Sequence, residues 1–175
     1  MNNKIFALAL LTGSAFTSSV FAADGTINIT GEIIDAGCNI NGSGSSSAVV
    51  PVTLGKIAKT GFTNVGDTSG AKSFDISLTD CPEGISSATV RFSGPVAAGN
   101  NRVLAVTGGA EGVGVGLYES DSTTLIPLGS DSAAKTVNAD SMNFRFFAKY
   151  IATAVPADIS AGPANATADF AISYN

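Results

Sequence analysis

Apolar and polar residues alternate along much of this chain. Ile27, Ile29 and Ile33 are separated by Asn28, Thr30 and Glu32, with Gly31 taking an apolar turn in the pattern. Phe74, Ile76 and Leu78 alternate with Ser73, Asp75 and Ser77, and Val90 and Phe92 flank Arg91. Val113, Val115 and Leu117 are spaced by Gly114 and Gly116. Phe144, Phe146, Ala148 and Tyr150 alternate with Arg145, Phe147 and Lys149, and Ala168, Phe170, Ile172 and Tyr174 with Asp169, Ala171 and Ser173. A period of two puts every second side chain on one face, so each run predicts a half-buried β-strand. Turn-rich stretches at 41–44, 64–67, 99–101 and 130–132 separate the runs, and no long segment carries a 3.6-residue apolar stripe. Short strands with frequent turns predict an all-β sandwich. Phe147 falls on the face opposite Phe144 and Phe146, which suits packing at a sheet edge or contact with a neighbouring molecule.

The first segment stands apart from this pattern. Lys4 precedes the apolar run Ile5–Leu11, and Val20-Phe21-Ala22 places small residues where a signal peptidase reads them. The run is too short for a span of ~20 residues, so residues 1–22 are expected to be a removed signal peptide. No later stretch is long and apolar enough to insert in a membrane. An exported chain with two cysteines, Cys38 and Cys81, is expected to join them in one disulfide. Closing that loop contributes roughly 4 kcal/mol on chain-entropy grounds.

Composition narrows the function. Lys and Arg number 9 against 14 Asp and Glu, a formal charge of −5, with no His and no Trp among 175 residues. Absence of His removes His-based catalysis and His-ligated metals, and the acidic balance suits no nucleic-acid partner. Charged residues are only 13%, against about 25% in an average domain. The profile favours a structural or binding protein without a cofactor over an enzyme. Gly112-Val113-Gly114-Val115-Gly116 lacks the third glycine of a dinucleotide loop and reads as a glycine-rich strand. Glu119 and Asp121 read as a solvated turn rather than a calcium loop or glycosidase pair.

The two ends carry the positive evidence. Gly25-Thr26-Ile27-Asn28-Ile29-Thr30-Gly31-Glu32-Ile33-Ile34 leads to Cys38, and Leu78-Thr79-Asp80-Cys81 surrounds the second cysteine. Phe144–Thr153 forms a late strand, followed by Gly162 and by Tyr174 next to Asn175. In order and spacing these resemble the major pilins of chaperone–usher fimbriae of Gram-negative bacteria, the type 1-like subunits. The resemblance spans nearly all of the chain after residue 22.

It implies an immunoglobulin-like sandwich lacking its final strand, which a neighbouring subunit supplies by strand addition. Residues 23–34 would then be a donor extension and 35–175 the incomplete domain. Ile27, Ile29, Gly31 and Ile33 would be the donor positions; Gly31, lacking a Cβ, allows close backbone approach where a groove is shallow. Gly162, Phe170, Ile172, Tyr174 and Asn175 would serve the acceptor groove and its recognition by a periplasmic pilus chaperone, which holds the carboxylate on Asn175. Exchange at an outer-membrane usher would then yield a homopolymer of identical or related subunits, the shaft of a surface fimbria used in adhesion. Rival expectations are a minor adaptor pilin and a self-contained secreted sandwich that binds a glycan or protein; a secreted hydrolase is more distant.

Overall fold

The computed structural model describes residues 27–31, 33, 37–41 and 48–175. Two units divide the chain, Met1–Ile33 and Ile34–Asn175. The expected signal segment lies outside the described residues, as do 42–47 of the first turn-rich loop. In the first unit, Ile27, Ile29, Gly31 and Ile33 belong to no helix or strand. Their isoleucine side chains are exposed to 88%, 90% and 100% for Ile27, Ile29 and Ile33.

The second unit is built from β1 (Asn39–Ile40), β2 (Thr68–Thr79), β3 (Ser87–Ser93), β4 (Val96–Ala97) and β5 (Asn100–Ala105), followed by β6 (Val113–Tyr118), β7 (Leu125–Ile126), β8 (Lys135–Thr136), β9 (Met142–Ala152) and β10 (Asp169–Tyr174). Two antiparallel sheets result. The larger runs β1-β2-β9-β6-β5-β4, with β7 paired to β6, and the smaller runs β10-β3-β8. Short 3-10 turns at Lys59–Gly61 and Pro156–Asp158 are the helical elements among the described residues.

Period two explains the long central pair. In register, Phe74 faces Phe146 and Ile76 faces Phe144, while Asp75 faces Arg145 on the outer surface. Apolar residues thus meet apolar ones on the inner face, and the opposite charges outside form a bidentate ion pair at 2.9 and 3.2 Å. Between the sheets Phe92 of β3 packs edge-on to Phe146, with ring centroids 5.1 Å apart, and Phe146 stacks on Phe144 at 5.9 Å. These rings, with Ile76, Leu78 and Val90, are the buried centre of the sandwich. Cys38 and Cys81 are joined by a disulfide, which ties the chain entering β1 to the chain leaving β2.

Two expectations are corrected. Phe147 is not at a sheet edge: β9 is central, and Phe147 lies between Ser73 of β2 and Tyr118 of β6, half-buried on the outer face. The predicted turn at 99–101 is shorter, because β5 already begins at Asn100. No alternation marks β5, since Val103 and Leu104 are both buried on opposite faces. Leu104 joins the main core, while Val103 packs with Ala97 and Ile151 in a second cluster.

Candidate functional site: an open groove beside the last strand

β10 sits at the edge of the small sheet. Its one ladder partner is β3, with Phe170 opposite Phe92, Ile172 opposite Val90 and Tyr174 opposite Ala88. Phe170, Ile172 and Tyr174 are half-buried on the inner face, whereas Asp169, Ala171 and Ser173 are exposed. The strand's other edge has no partner strand among the described residues.

Beside it runs a groove in two stretches. One, of about 440 Å³, is lined by Gly37, Ile40, Ile172 and Tyr174 among others. The second, of about 700 Å³, is lined by Val50, Val52, Leu54 and Phe170 and is floored by core residues such as Phe74 and Phe92. Both stretches share Ala48, Ala168, Asp169 and Phe170 and so form one continuous groove.

Residues 48–55 make the wall facing β10. Ala48, Val50, Val52 and Leu54 are half-buried, while Val49 is 86% exposed and Pro51 and Thr53 are exposed too. This wall has the alternation of a strand, yet it belongs to no ladder. Sequence reasoning missed it because apolar Val49 falls in the polar phase and Pro51 argues against a paired strand. The phase of Ala48, Val50, Val52 and Leu54 was the available signal.

The predicted acceptor residues separate into three placements. Phe170, Ile172 and Tyr174 line the groove together. Asn175 lies just past it: its carbonyl-position oxygen accepts from the Ser86 and Ser87 amides at 2.7 and 2.9 Å and from the Ser86 hydroxyl at 2.9 Å. Its own amide donates to the Ser87 carbonyl at 2.9 Å, which extends the β10–β3 pairing by one residue. Gly162 is not part of the groove lining. A Cβ there would lie 2.7 Å from the backbone of Gly109 and Ala110, so glycine permits two loops to touch.

Chemically the groove suits an apolar, extended occupant. Asp169, Tyr150 and Tyr174 are its titratable lining residues. The Tyr150 hydroxyl donates to the Ala164 carbonyl at 2.9 Å. Burial pushes the Tyr174 phenol up from its ordinary value, and the nearby Cys38 amide works against that push. Elsewhere, Asp121 accepts from the Thr123 amide and from the Thr124 amide and hydroxyl, at 2.7, 2.8 and 2.6 Å. Those donors hold its carboxyl well below the usual range. Glu119 is engaged separately, by the Ala133 amide at 2.7 Å. The pair is a closed, solvent-facing turn.

A profile of the family described as "Fimbrial protein" matches residues 27–175, covering both the exposed isoleucines and the grooved sandwich. The chain belongs to the fimbrial protein family. It is 37% identical to the "probable major fimbrial subunit LpfA" of Escherichia coli O157:H7, over 96% of this chain and 92% of that one. The crystal structure of a Burkholderia pseudomallei antigen and type I fimbria protein is 38% identical, with a TM-score of 0.60 over 81% of this chain and 91% of that one. The P pilus rod subunit PapA shares the fold, with a TM-score of 0.64 at 23% identity over 80% of this chain and all of that one. The immunoglobulin-like pilin fold expected from the two ends is therefore present. This fimbrial protein is a structural subunit of a surface fimbria, and its family is not one of enzymes. The self-contained binding module falls away as a reading of it.

Proposed function

We propose that this fimbrial subunit polymerises by lending residues 23–34 to the groove of the next copy. Ile27, Ile29 and Ile33 would enter the groove beside Phe170, Ile172 and Tyr174, with Gly31 at the tightest approach. The donated backbone would pair along the free edge of β10. The observation that carries this reading is complementarity within one sequence: an alternating row of exposed isoleucines and an apolar groove beside a strand edge with no partner strand among the described residues.

Magnitudes favour a durable joint. Burying three isoleucines contributes on the order of 5–9 kcal/mol, at ~1.5–3 per side chain. Backbone hydrogen bonds along β10 add about 1 kcal/mol each. Ordering the donor and docking two bodies offset part of that sum. Because the inserted strand completes a sandwich, its release requires opening the core, which makes the joint kinetically stable.

By the same reading, residues 1–22 direct export to the periplasm and are removed. A periplasmic chaperone fills the groove first and holds the carboxylate on Asn175, and exchange occurs at an outer-membrane usher. The product is the main shaft of the fimbria. The test is expression of Ala23–Asn175 in a periplasm with and without a pilus chaperone, followed by unheated detergent gels. A ladder of polymers that depends on the chaperone is expected. A stable monomer under both conditions, with no ladder and no chaperone complex, overturns the proposal.

A further inference from the structure

The two ends of the groove carry opposite charge. At one end Gly55 lines the groove, and the exposed Lys56 and Lys59 follow it in the chain. Their segment packs where β2 begins and β9 ends: a Cβ on Gly70 would lie 3.1 Å from Ile57, and Phe62 is buried with Ala152. At the other end a Cβ on Gly37 would lie 2.8 Å from Tyr174, and the chain leads into the Cys38–Cys81 disulfide. Asp80 and Glu83 flank Cys81, whose amide donates to the Asp140 carbonyl at 3.0 Å, and all three acids are exposed. Asp80 accepts from neutral groups, the Asn39 amide at 2.7 Å and the Thr79 hydroxyl at 3.3 Å. The ion pairs among the described residues, Arg91–Asp131 and Arg145–Asp75, use none of these lysines and acids. Lys135 lies opposite Ala88 toward the acidic end, and its ammonium donates to the Asn143 carbonyl at 2.8 Å. Toward the lysine end, Asp67 is engaged by Thr63 and Asn64, while Glu111 and Asp158 belong to loops that meet at Gly112, outside the groove lining. Lysines and acids are separated by roughly 30 Å along β2, at ~3.3 Å per residue. Screening acts over about 8 Å in physiological salt, so the two groups do not neutralise each other within one subunit.

We propose that the lysine end is a docking surface for a second copy of this chain, whose Asp80, Glu83 and Asp140 meet Lys56 and Lys59. The inference rests on the strand-addition reading above. Ile33 precedes Cys38 by five positions, about 18 Å at full extension. Wherever Ile33 seats in a receiver's groove, the donor's disulfide end therefore lies close by, whatever path the chain takes between them. Seated near Tyr174, it would set the donor's acids against the receiver's own Asp80, Glu83 and Asp140. Seated near Gly55, it brings them to two lysines. Like charges oppose such an approach and complementary ones steer it. The charges thus select head-to-tail addition. Exposed pairs add little to the strength of a finished joint, so their effect is on the rate and direction of addition.

The test uses Ala23–Asn175 immobilised through an unnatural side chain at Asn28, in its own arm, so that it can only receive. Two donors flow over it: the whole chain Ala23–Asn175, and a peptide of residues 25–34 carrying Glu32→Gln. Association rates are read by surface plasmon resonance in low and high salt. In a Lys56→Glu, Lys59→Glu receiver, capture of the whole chain is expected to slow ~tenfold at low salt. The difference should vanish at high salt, and peptide capture should be unchanged. If that receiver fails to fold, the Lys56→Gln, Lys59→Gln pair should show a smaller loss in the same direction. A flowing chain with Asp80→Asn and Glu83→Lys should recover the rate on the Lys→Glu receiver. Whole-chain capture that is absent on the parent receiver, or unchanged in the lysine variants, overturns the docking surface alone. So does equal slowing of the peptide, which would show that the lysines act on the groove itself. A parent receiver that binds no peptide overturns strand addition and this inference with it.

Discussion

Two apolar surfaces of the sandwich are treated in opposite ways. On the outer face of β6, Gly114 and Gly116 leave a shallow trough that the chain covers with its own side chains. A Cβ on Gly114 would lie 2.9 Å from Val103 and 3.1 Å from Ala97, and one on Gly116 would lie 2.9 Å from Tyr118 and 3.1 Å from Leu125. Lys149 closes the rim, its ammonium 4.7 Å from the Tyr118 ring centre and donating to the Ser122 carbonyl. Beside β10 no comparable cover exists among the described residues, and core rings such as Phe74 and Phe92 floor an open groove. Apolar surface left uncovered costs stability and invites association. A chain that closes one face with short strands and folded-over side chains has the means to close another. On the strand-addition proposal, the open groove is a joint.

The largest effect should come from the tie at the groove's end. Replacing Cys38 and Cys81 together by serine should cost about 4 kcal/mol of domain stability, read as a lower urea midpoint. An unchanged midpoint would mean that the disulfide adds nothing to this frame. Next is the donor side: Ile29→Ala should weaken capture of the arm by ~1.5–3 kcal/mol, at least tenfold in affinity. It should leave the unfolding midpoint of the domain where it was. Loss of both together would show that Ile29 belongs to the domain's own core, and the contrast between open and closed faces would fail.

The closed face should respond the other way. Gly114→Val forces a side chain against the Leu104 carbonyl, 2.8 Å from the position of its Cβ. Overpacking of this kind costs about 1–3 kcal/mol, here in unfolding free energy, with affinity for a donor peptide preserved in the folded fraction. Weaker peptide binding at full folding would show that the two faces are coupled.

The smallest effect is acid sensitivity. Asp121 is held low by hydrogen bonds from Thr124 and Thr123, Asp67 by those from Thr63 and Asn64, and Asp75 by Arg145. Each binds fewer protons folded than unfolded in acid. Their stabilisation is therefore complete above the ordinary carboxylate value near 4 and is lost as pH falls through the lowered values. Thermal unfolding of Asp121→Asn should show a shallower decline below pH 4 than the parent; an identical slope would remove Asp121 from that account.

Much of this molecule could be read residue by residue. β2, β3, β9 and β10 each contain a run in which one face is buried and the other solvated, and that difference is written as period two; β6 is covered on both faces, and its period survives as apolar residues alternating with glycine. β5 was hidden because both its faces are covered, Leu104 by the core and Val103 by Ala97 and Ile151. β1, β4, β7 and β8 span two residues apiece, too few for any period to register. The Phe170–Ile172–Tyr174 wall was visible in the alternation of the last strand. The facing wall at 48–55 was not, since Val49 and Pro51 blur its phase. Gly162 was noticed for its place in a family pattern, yet its packing reason is a contact with Gly109 and Ala110, over fifty positions away in the chain.

The sequence by itself determined the all-β class, the cysteine pair, and the likeness of its two ends to pilin donor and acceptor segments. Those properties reside in local alternation, residue counts and short motifs, which need no knowledge of what lies across the fold. Only the tertiary structure decided that, among the described residues, β10 keeps one edge unpaired, residues 48–55 stand opposite it, and the glycine trough is covered while the groove is not. It alone seated Tyr174 on Gly37, because that contact joins residues 137 positions apart and depends on both sheets being in place.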